Sequence, residues 1–357
     1  MRTISKLVLA VSATQGLALA LCVDLAAQRI SADGGGPPTS RLIALLVPGG
    51  SPPEALLVDA VRNRVVAILP TGPDARDVAL SPDGRFAYVT SYGWEPGTED
   101  RAAGEPSMEA EGNTPLRRRG VTVIDLEERQ VHAVFQPADY RQLGAIAVGE
   151  GGDRLWVTSE AENGVVELDA HTGEVRMLWK TGGSDPADIA VSDDGDHVFT
   201  ANAGSDDVMV IDRVTVISTR VPAGRRPAGV AVAPRGRLWV ANSGENTISV
   251  IGNFRSPREI VRFPSGGIEP VSIAFHPDRS EAWVSHRTSR TIAVLGLTSG
   301  RRIAGITLPG EPGDITFSDD GARAYVSSPA NGEVYTIDVE LRRFVDPPPA
   351  IRDSGGA

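Results

Sequence analysis

The sequence predicts an all-β fold, a seven-bladed β-propeller of four-stranded antiparallel blades, and three observations predict it. A motif recurs at a spacing of 40 to 44 residues along most of the chain. Each unit contains four short runs of β-branched and apolar residues between Gly, Pro, Asp and Asn turns, the pattern of strands and hairpins. The chain has 357 residues, more than one ordinary core accommodates unless the architecture is a repeat array or a large all-β domain. A period of this length with four strands per unit is the propeller period.

The inner strand and its turn come first in each unit. Val78 to Gly84 (VALSPDG) aligns with Ile189 to Gly195 (IAVSDDG) and Ile315 to Gly321 (ITFSDDG). Looser copies lie at Ile146 to Gly152, Val230 to Gly236 and Ile273 to Arg279. The Asp-Gly turns suit antiparallel hairpins, because glycine accepts positive φ without a Cβ penalty. A second strand follows, marked by one aromatic: Tyr88, Trp156, Phe199, Trp239, Trp283 and Tyr325. From Trp156 onward these aromatics are 43, 40, 44 and 42 residues apart. The gap from Tyr88 to Trp156 is 68, which places an insertion at Gly93 to Gly120. Third strands read as Val121 to Asp125 or Val208 to Asp212, and fourth strands as Val65 to Leu69 or Arg302 to Ile306. The strands are lettered A to D in each unit. A further B–C–D set at 41–69 makes the seventh unit. It lacks an evident A strand, and residues near the C-terminus are the expected source of one.

The segments SPDGRFAYVT, VTVIDLEERQVHAVF, VFTANAGSDDVMVID and LWVANSGENTISVI resemble the YVTN β-propeller repeat family. The resemblance covers most of residues 41–344. It implies a propeller in a group that includes surface-layer and envelope proteins, lactonase-like proteins and relatives of the quinoprotein amine dehydrogenase β chain. It does not imply one activity.

The N-terminus reads as an export signal over 1–27. Arg2 and Lys6 are basic, Leu7 to Leu21 is mostly apolar, and Leu25-Ala26-Ala27 offers small residues before Gln28. The expected location is periplasmic or secreted. Lipidation at Cys22 is the less favoured alternative, since the bulky Leu21 precedes it. No later stretch is apolar enough to span a bilayer. Residues 28–40 and 346–357 read as Gly/Pro-rich flanks around a propeller at 41–345. Cys22 is the only cysteine, so a chain cut after Ala27 has no disulfide, thiolate metal site or haem-attachment motif. The net charge of −11 disfavours a nucleic-acid partner.

Topology sorts the candidate site residues. D–A and B–C loops share one face of a propeller, the top, and A–B and C–D turns share the bottom. The 93–120 insertion is a B–C loop and holds Trp94, an acidic run from Glu95 to Glu111, and Arg117 to Arg119. It reads as a lid over the pocket or as a loose acidic loop. At the top of the A strands stand Asp77, Ala145, Asp188, Gly229, Ser272 and Asp314. The three carboxylates suit a hard cation such as Ca²⁺ or a cationic or polyhydroxy ligand; the plainer reading has them bonding backbone amides. Arg76, Arg141, Arg225 and Arg226 in D–A loops and Arg287 in a B–C loop suit carboxylate or phosphate partners, or neutralise nearby acids. Tyr140 can stack on a ligand or pack against the rim. Among the five histidines only His286 is expected at the top face, as a possible general base.

These features support an exported binding or scaffold propeller with a protein, glycan or small-molecule partner and no evident cofactor beyond a possible Ca²⁺. The alternative is a lactonase-like hydrolase using top-face Asp and His. A third reading is a subunit of a periplasmic redox complex whose cofactor sits on a partner.

Overall fold

The structure is a computed structural model. It describes residues 64–92, 119–137, 139–234, 236–252, 260–318, 320–328, 330 and 333–345, together with strands at 8–9, 20–23, 42–47 and 54–59. Trp94 and most of the 93–120 insertion lie outside the described residues, as do the two flanks at 28–40 and 346–357.

Among the described residues all regular structure is β, arranged in seven antiparallel sheets. The first has five strands, β1 (Val8–Leu9), β2 (Ala20–Val23), β3 (Leu42–Val47), β4 (Glu54–Asp59) and β5 (Arg64–Pro70). The other six have four strands each, hydrogen-bonded in chain order. Sheet 2 is β6 (Ala75–Leu80), β7 (Phe86–Ser91), β8 (Gly120–Asp125) and β9 (Gln130–Phe135). Sheet 3 is β10 (Leu143–Val148), β11 (Arg154–Ser159), β12 (Gly164–Asp169) and β13 (Val175–Lys180). Sheet 4 is β14 (Pro186–Val191), β15 (His197–Asn202), β16 (Asp207–Asp212) and β17 (Ile217–Pro222). Sheet 5 is β18 (Pro227–Ala233), β19 (Arg237–Asn242), β20 (Thr247–Ile251) and β21 (Ile260–Pro264). Sheet 6 is β22 (Pro270–Phe275), β23 (Glu281–His286), β24 (Thr291–Gly296) and β25 (Arg302–Thr307). Sheet 7 is β26 (Ile315–Phe317), β27 (Arg323–Ser328), β28 (Glu333–Asp338) and β29 (Arg343–Val345).

The A strands of consecutive sheets lie side by side, from β6 next to β10 through to β22 next to β26, and β1 touches both β6 and β26. The sheets therefore run round a closed ring. The expected closure by C-terminal residues is not what the described strands show. The strand paired with β3 is β2, in register Ala20↔Leu46 to Val23↔Ile43, and it comes from the segment that reads as an export signal. A strand from either end satisfies the free edge of β3, so the repeat pattern alone did not choose between them.

The core is divided among the seams. Ala79, Tyr88, Val121 and Val123 of sheet 2 pack on Ile146, Leu155, Val157 and Val166 of sheet 3. Equivalent clusters join sheets 3 and 4, 4 and 5, 5 and 6, and 6 and 7. A strand between two neighbouring sheets is buried on both faces. This explains why B strands such as β15 and β23 are buried along their whole length while the outer strand β17 is mostly exposed. The B-strand aromatics Tyr88, Trp156, Phe199, Trp239 and Trp283 are the large seam fillers, all essentially without solvent contact.

The repeat motifs are turn chemistry. Ser81 Oγ donates to Asp83 Oδ1 at 2.5 Å and accepts the Phe86 N–H at 2.8 Å, closing an A–B turn in which Gly84 has φ +71°. Ser192 and Asp194, and Ser318 and Asp320, repeat the arrangement. In sheets 2 to 4 the Asp ending the C strand caps the next turn: Asp125, Asp169 and Asp212 each accept two amides two and three residues on.

Candidate functional site

The top face is built by a loop frame repeated from sheet to sheet. In the D–A loops that lead into sheets 2 to 6 the residue three before the ring position has positive φ: Asp74, Gln142, Asp185, Arg226 and Glu269. Its carbonyl accepts the N–H of the first residue after the B strand, namely Tyr92, Glu160, Ala203, Ser243 and Arg287. These two columns put their side chains at the rim of the ring. The frame is constant and the side chains are not.

The ring aspartates form part of the frame. In sheets 2 to 6 the A–B ladder slips register where the A strand begins, as between Ala75 and Val78 and between Pro186 and Asp188. A bulge of this kind turns one side chain out of the ladder and leaves a neighbouring amide unpaired. Asp77 supplies the missing acceptors. Its Oδ1 takes the Val78 N–H at 2.6 Å and its Oδ2 takes the Ile146 N–H of sheet 3 at 2.7 Å. Asp188 repeats this with Ile189 at 2.8 Å and Val230 of sheet 5 at 2.7 Å. Asp314 N–H donates to Ser327 Oγ at 3.0 Å, as Asp77 N–H does to Thr90 Oγ1. Burial holds the Asp77 carboxyl well above the usual range, and the charges of Asp314 and Asp188 push it the same way. Burial likewise raises Asp188 to about 7. Among the described residues no three His, Cys, Asp or Glu side chains are grouped closely enough to hold a metal ion.

His286 ends β23 rather than standing in the loop above it. It has no solvent contact, and its Nε2 lies 3.0 Å from Ser265 Oγ. Gly267 covers the ring so closely that a Cβ there would come within 2.5 Å of His286 Cγ. Asn202 and Asn242 occupy the same register under Gly183 and Gly224. Burial depresses the His286 imidazole to about 4. The expectation that this ring reaches the top face is corrected by its position at the strand end, one residue below the rim. A side chain sealed in this way fills a seam.

The arginines separate into paired and exposed. Arg287 pairs with Glu269 at 3.1 Å, and Thr288 donates to the same carboxylate at 2.5 Å. Arg141, Arg225 and Arg226 are exposed at the rim and make no ion pair among the described residues. Tyr140 packs on the apolar cluster between sheets 2 and 3. Arg76 is drawn into a group that the sequence did not single out. Its guanidinium bonds Asp74 at 2.9 Å and lies over the Tyr92 ring, 4.2 Å from the centroid. Tyr92 Oη donates to Glu160 Oε2 of sheet 3 at 2.7 Å. Burial raises the Glu160 carboxyl, and the charges of Asp185 and Asp74 add to the effect. Burial and the same hydrogen bond raise the Tyr92 phenol. The four side chains bridge the seam between sheets 2 and 3, at the point where the chain leaves for the insertion. Tyr92 and Glu160 belong to the column immediately after the B strand, of which sequence reasoning selected only Arg287. That column changes from Tyr to Glu, Ala, Ser and Arg while its neighbours repeat, and this contrast was the available signal.

Comparisons with known proteins agree with this geometry. A segment of 162 residues, 44% of the chain, is 28% identical to the seven-bladed beta-propeller protein Rv1057 of Mycobacterium tuberculosis. The chain is a β-propeller. Its match spans about a third of that relative, 33% of its length. No family model matches the chain. Among solved structures, hydrazine synthase of Kuenenia stuttgartiensis superposes with a TM-score of 0.63 at 17% identity, over 83% of this chain and 92% of that one. A functionally unknown protein of Desulfotomaculum acetoxidans gives 0.65 at 13% identity with the same coverages. At these identities the two structures speak for the fold alone.

Proposed function

We propose that this propeller is an exported binding or scaffold module, and that its ligand surface is the top face over blades 2 and 3. The observation that carries the reading is the Asp74–Arg76–Tyr92–Glu160 group. It places a half-buried aromatic, a cation and two carboxylates on an otherwise regular frame, beside the stems of the one long insertion. Non-repeated polar and aromatic side chains on a rigid repeated scaffold are how loop-based recognition is built. The sheets form seven blades in this reading, the five-stranded sheet being the first, and the blades resemble the YVTN-repeat family. The partner is a protein, glycan or small molecule outside the cytoplasm.

The test is binding by the purified chain to envelope extracts and a glycan panel. Loss of a captured ligand in Tyr92→Ala and in a chain lacking residues 93–118 supports the proposal. Capture that both variants retain argues against it. Export is tested by the intact mass of the chain recovered from the cell envelope. Loss of residues 1–27 would also remove β1 and β2 from the first blade.

A second reading, a lactonase-like hydrolase, has one observation in its favour. A carboxyl held near pH 7 at the channel mouth, as Asp188 is, suits a general base. Turnover on a lactone panel that Asp188→Asn abolishes, with or without dependence on Ca²⁺, would favour it. A negative panel with and without Ca²⁺ would remove it.

A further inference from the structure

On the bottom face, the first residue of the A–B turn is Ser81, Ser192 or Ser318 in blades 2, 4 and 7, and each hydroxyl closes its own turn. In blade 6 this place is taken by His276. The ring is almost fully buried, 4% exposed, and meets Phe317 of blade 7 edge-on at 5.1 Å. Its Nδ1 accepts the N–H groups of Asp278 at 3.1 Å and Arg279 at 2.9 Å. That nitrogen therefore carries a lone pair. In the neutral ring the proton is then on Nε2, which donates to the Gly321 carbonyl of blade 7 at 3.1 Å. Gly321 fits because the ring occupies the space a Cβ would need: one would come within 2.6 Å of His276 Cε1.

The same seam is stitched by two ion pairs, Arg279 to Glu340 and Arg342 to Glu281, the latter at 2.6 Å. Its inner side is short. Strand β26 has three residues where the A strands of blades 2 to 6 have six or seven. The bottom contacts thus carry a larger share of the junction here than in the seams that join blades 2 to 6.

We propose that His276 is an acid-sensitive latch between blades 6 and 7. A proton on Nδ1 points an N–H at two amide N–H donors, so the charged ring cannot keep its turn, and leaving the turn also breaks the bond to Gly321. The charged groups around the ring are Asp278, Arg279 and Glu281 on its own blade and Asp320, Glu340 and Arg342 on blade 7. The atoms facing Nδ1 are the two amides. Burial depresses the ring below its ordinary value, with Arg279 acting in the same direction. For a His depressed in the closed state, closure is fully favoured above pH ~6.5 and weakens as pH falls toward the depressed value.

The test is hydrogen exchange of the full chain, corrected for the intrinsic pH dependence of exchange. Between pH 7.5 and 5.5, peptides covering residues 315–328 should open more often, by a factor of at most about ten. Peptides covering 154–169 serve as the control. In His276→Gln the pH-dependent part should vanish at 315–328. In the wild-type chain, the imidazole ¹⁵N shifts at pH 7.5 should report the Nε2–H tautomer. The proposal is overturned by pH-independent exchange at 315–328, by pH dependence that survives in His276→Gln, or by an Nδ1–H tautomer. Should the variant not fold, the tautomer and the wild-type exchange profile still decide.

Discussion

Asp188 offers the sharpest test of the seam chemistry. Its carboxyl is raised to about 7 by burial although it accepts two amides, so desolvation outweighs the hydrogen bonds. The unfolded chain holds the same group near ~3.9. The folded state therefore binds the proton more tightly. The stabilisation is present below pH ~3.9 and is lost as pH rises through 7. Linkage with these two values gives a loss of about 1.5 kcal/mol by pH 5 and about 4 kcal/mol by pH 8. The residual solvent contact of Asp188 makes these upper values. Asp188→Asn cannot ionise, but its Nδ2 cannot accept an amide, which costs about 1–3 kcal/mol at any pH. The variant should thus lie within about 1.5 kcal/mol of wild type at pH 5 and be more stable than wild type, by about 1–3 kcal/mol, at pH 8. Urea unfolding at the two pH values measures the difference, and the gap between variant and wild type should change by about 2–3 kcal/mol. A gap that stays constant to within about 0.5 kcal/mol would refute the account of a buried, reluctantly ionised clasp.

His286 supplies the opposite slope. Its folded value of about 4 means that stability is complete above pH ~6.5 and falls in acid, so His286→Asn should gain on wild type by about 2 kcal/mol on going from pH 8 to pH 5 in the same assay. Val216 is a β-branched residue at φ +57°, exposed in a bottom turn whose counterparts in blades 3 and 6 are Gly173 and Gly300. Val216→Gly should therefore raise stability by about 0.5–1 kcal/mol in urea unfolding, whereas a loss would show that the turn is not strained. Ser91 aligns with Asn202, Asn242 and His286. Its hydroxyl and those of Thr71 and Thr122 are buried with no partner among the described residues. Ser91→Asn should thus bond Thr122, as Asn242 bonds Ser249, and raise the melting temperature by a few degrees. Trp239→Ala empties a seam lined by Phe263 and Phe275 and should cost about 3–5 kcal/mol by denaturant unfolding.

The legible part of this fold was the part written once per blade. Seam aromatics such as Trp239 and the Ser-x-Asp-Gly turns recur because each blade poses the same burial and hairpin problem. Their spacing therefore gave the strand order within blades 2 to 7. The partner of β3 was not legible, because a free strand edge accepts any extended segment. The ring aspartates were found, but the bulge that turns Asp77 and Asp188 toward the next blade's amides leaves no mark in one sequence. His286 was misplaced by one residue. At a strand end that residue separates a sealed side chain from an exposed one, and Gly267, which does the sealing, is distant in sequence. Tyr92 and Glu160 were passed over because the blades were aligned on the positions that repeat, and the signal lay in the one column that does not.

The central claim is that the top face over blades 2 and 3 is where this propeller meets its ligand. A photo-reactive amino acid at position 92, irradiated in the producing cell, tests it most directly, with the same residue at exposed Arg323 on the bottom face as the control. The account predicts a discrete adduct from position 92 that Glu160→Ala weakens, and none from position 323. An adduct from position 323 alone would contradict it.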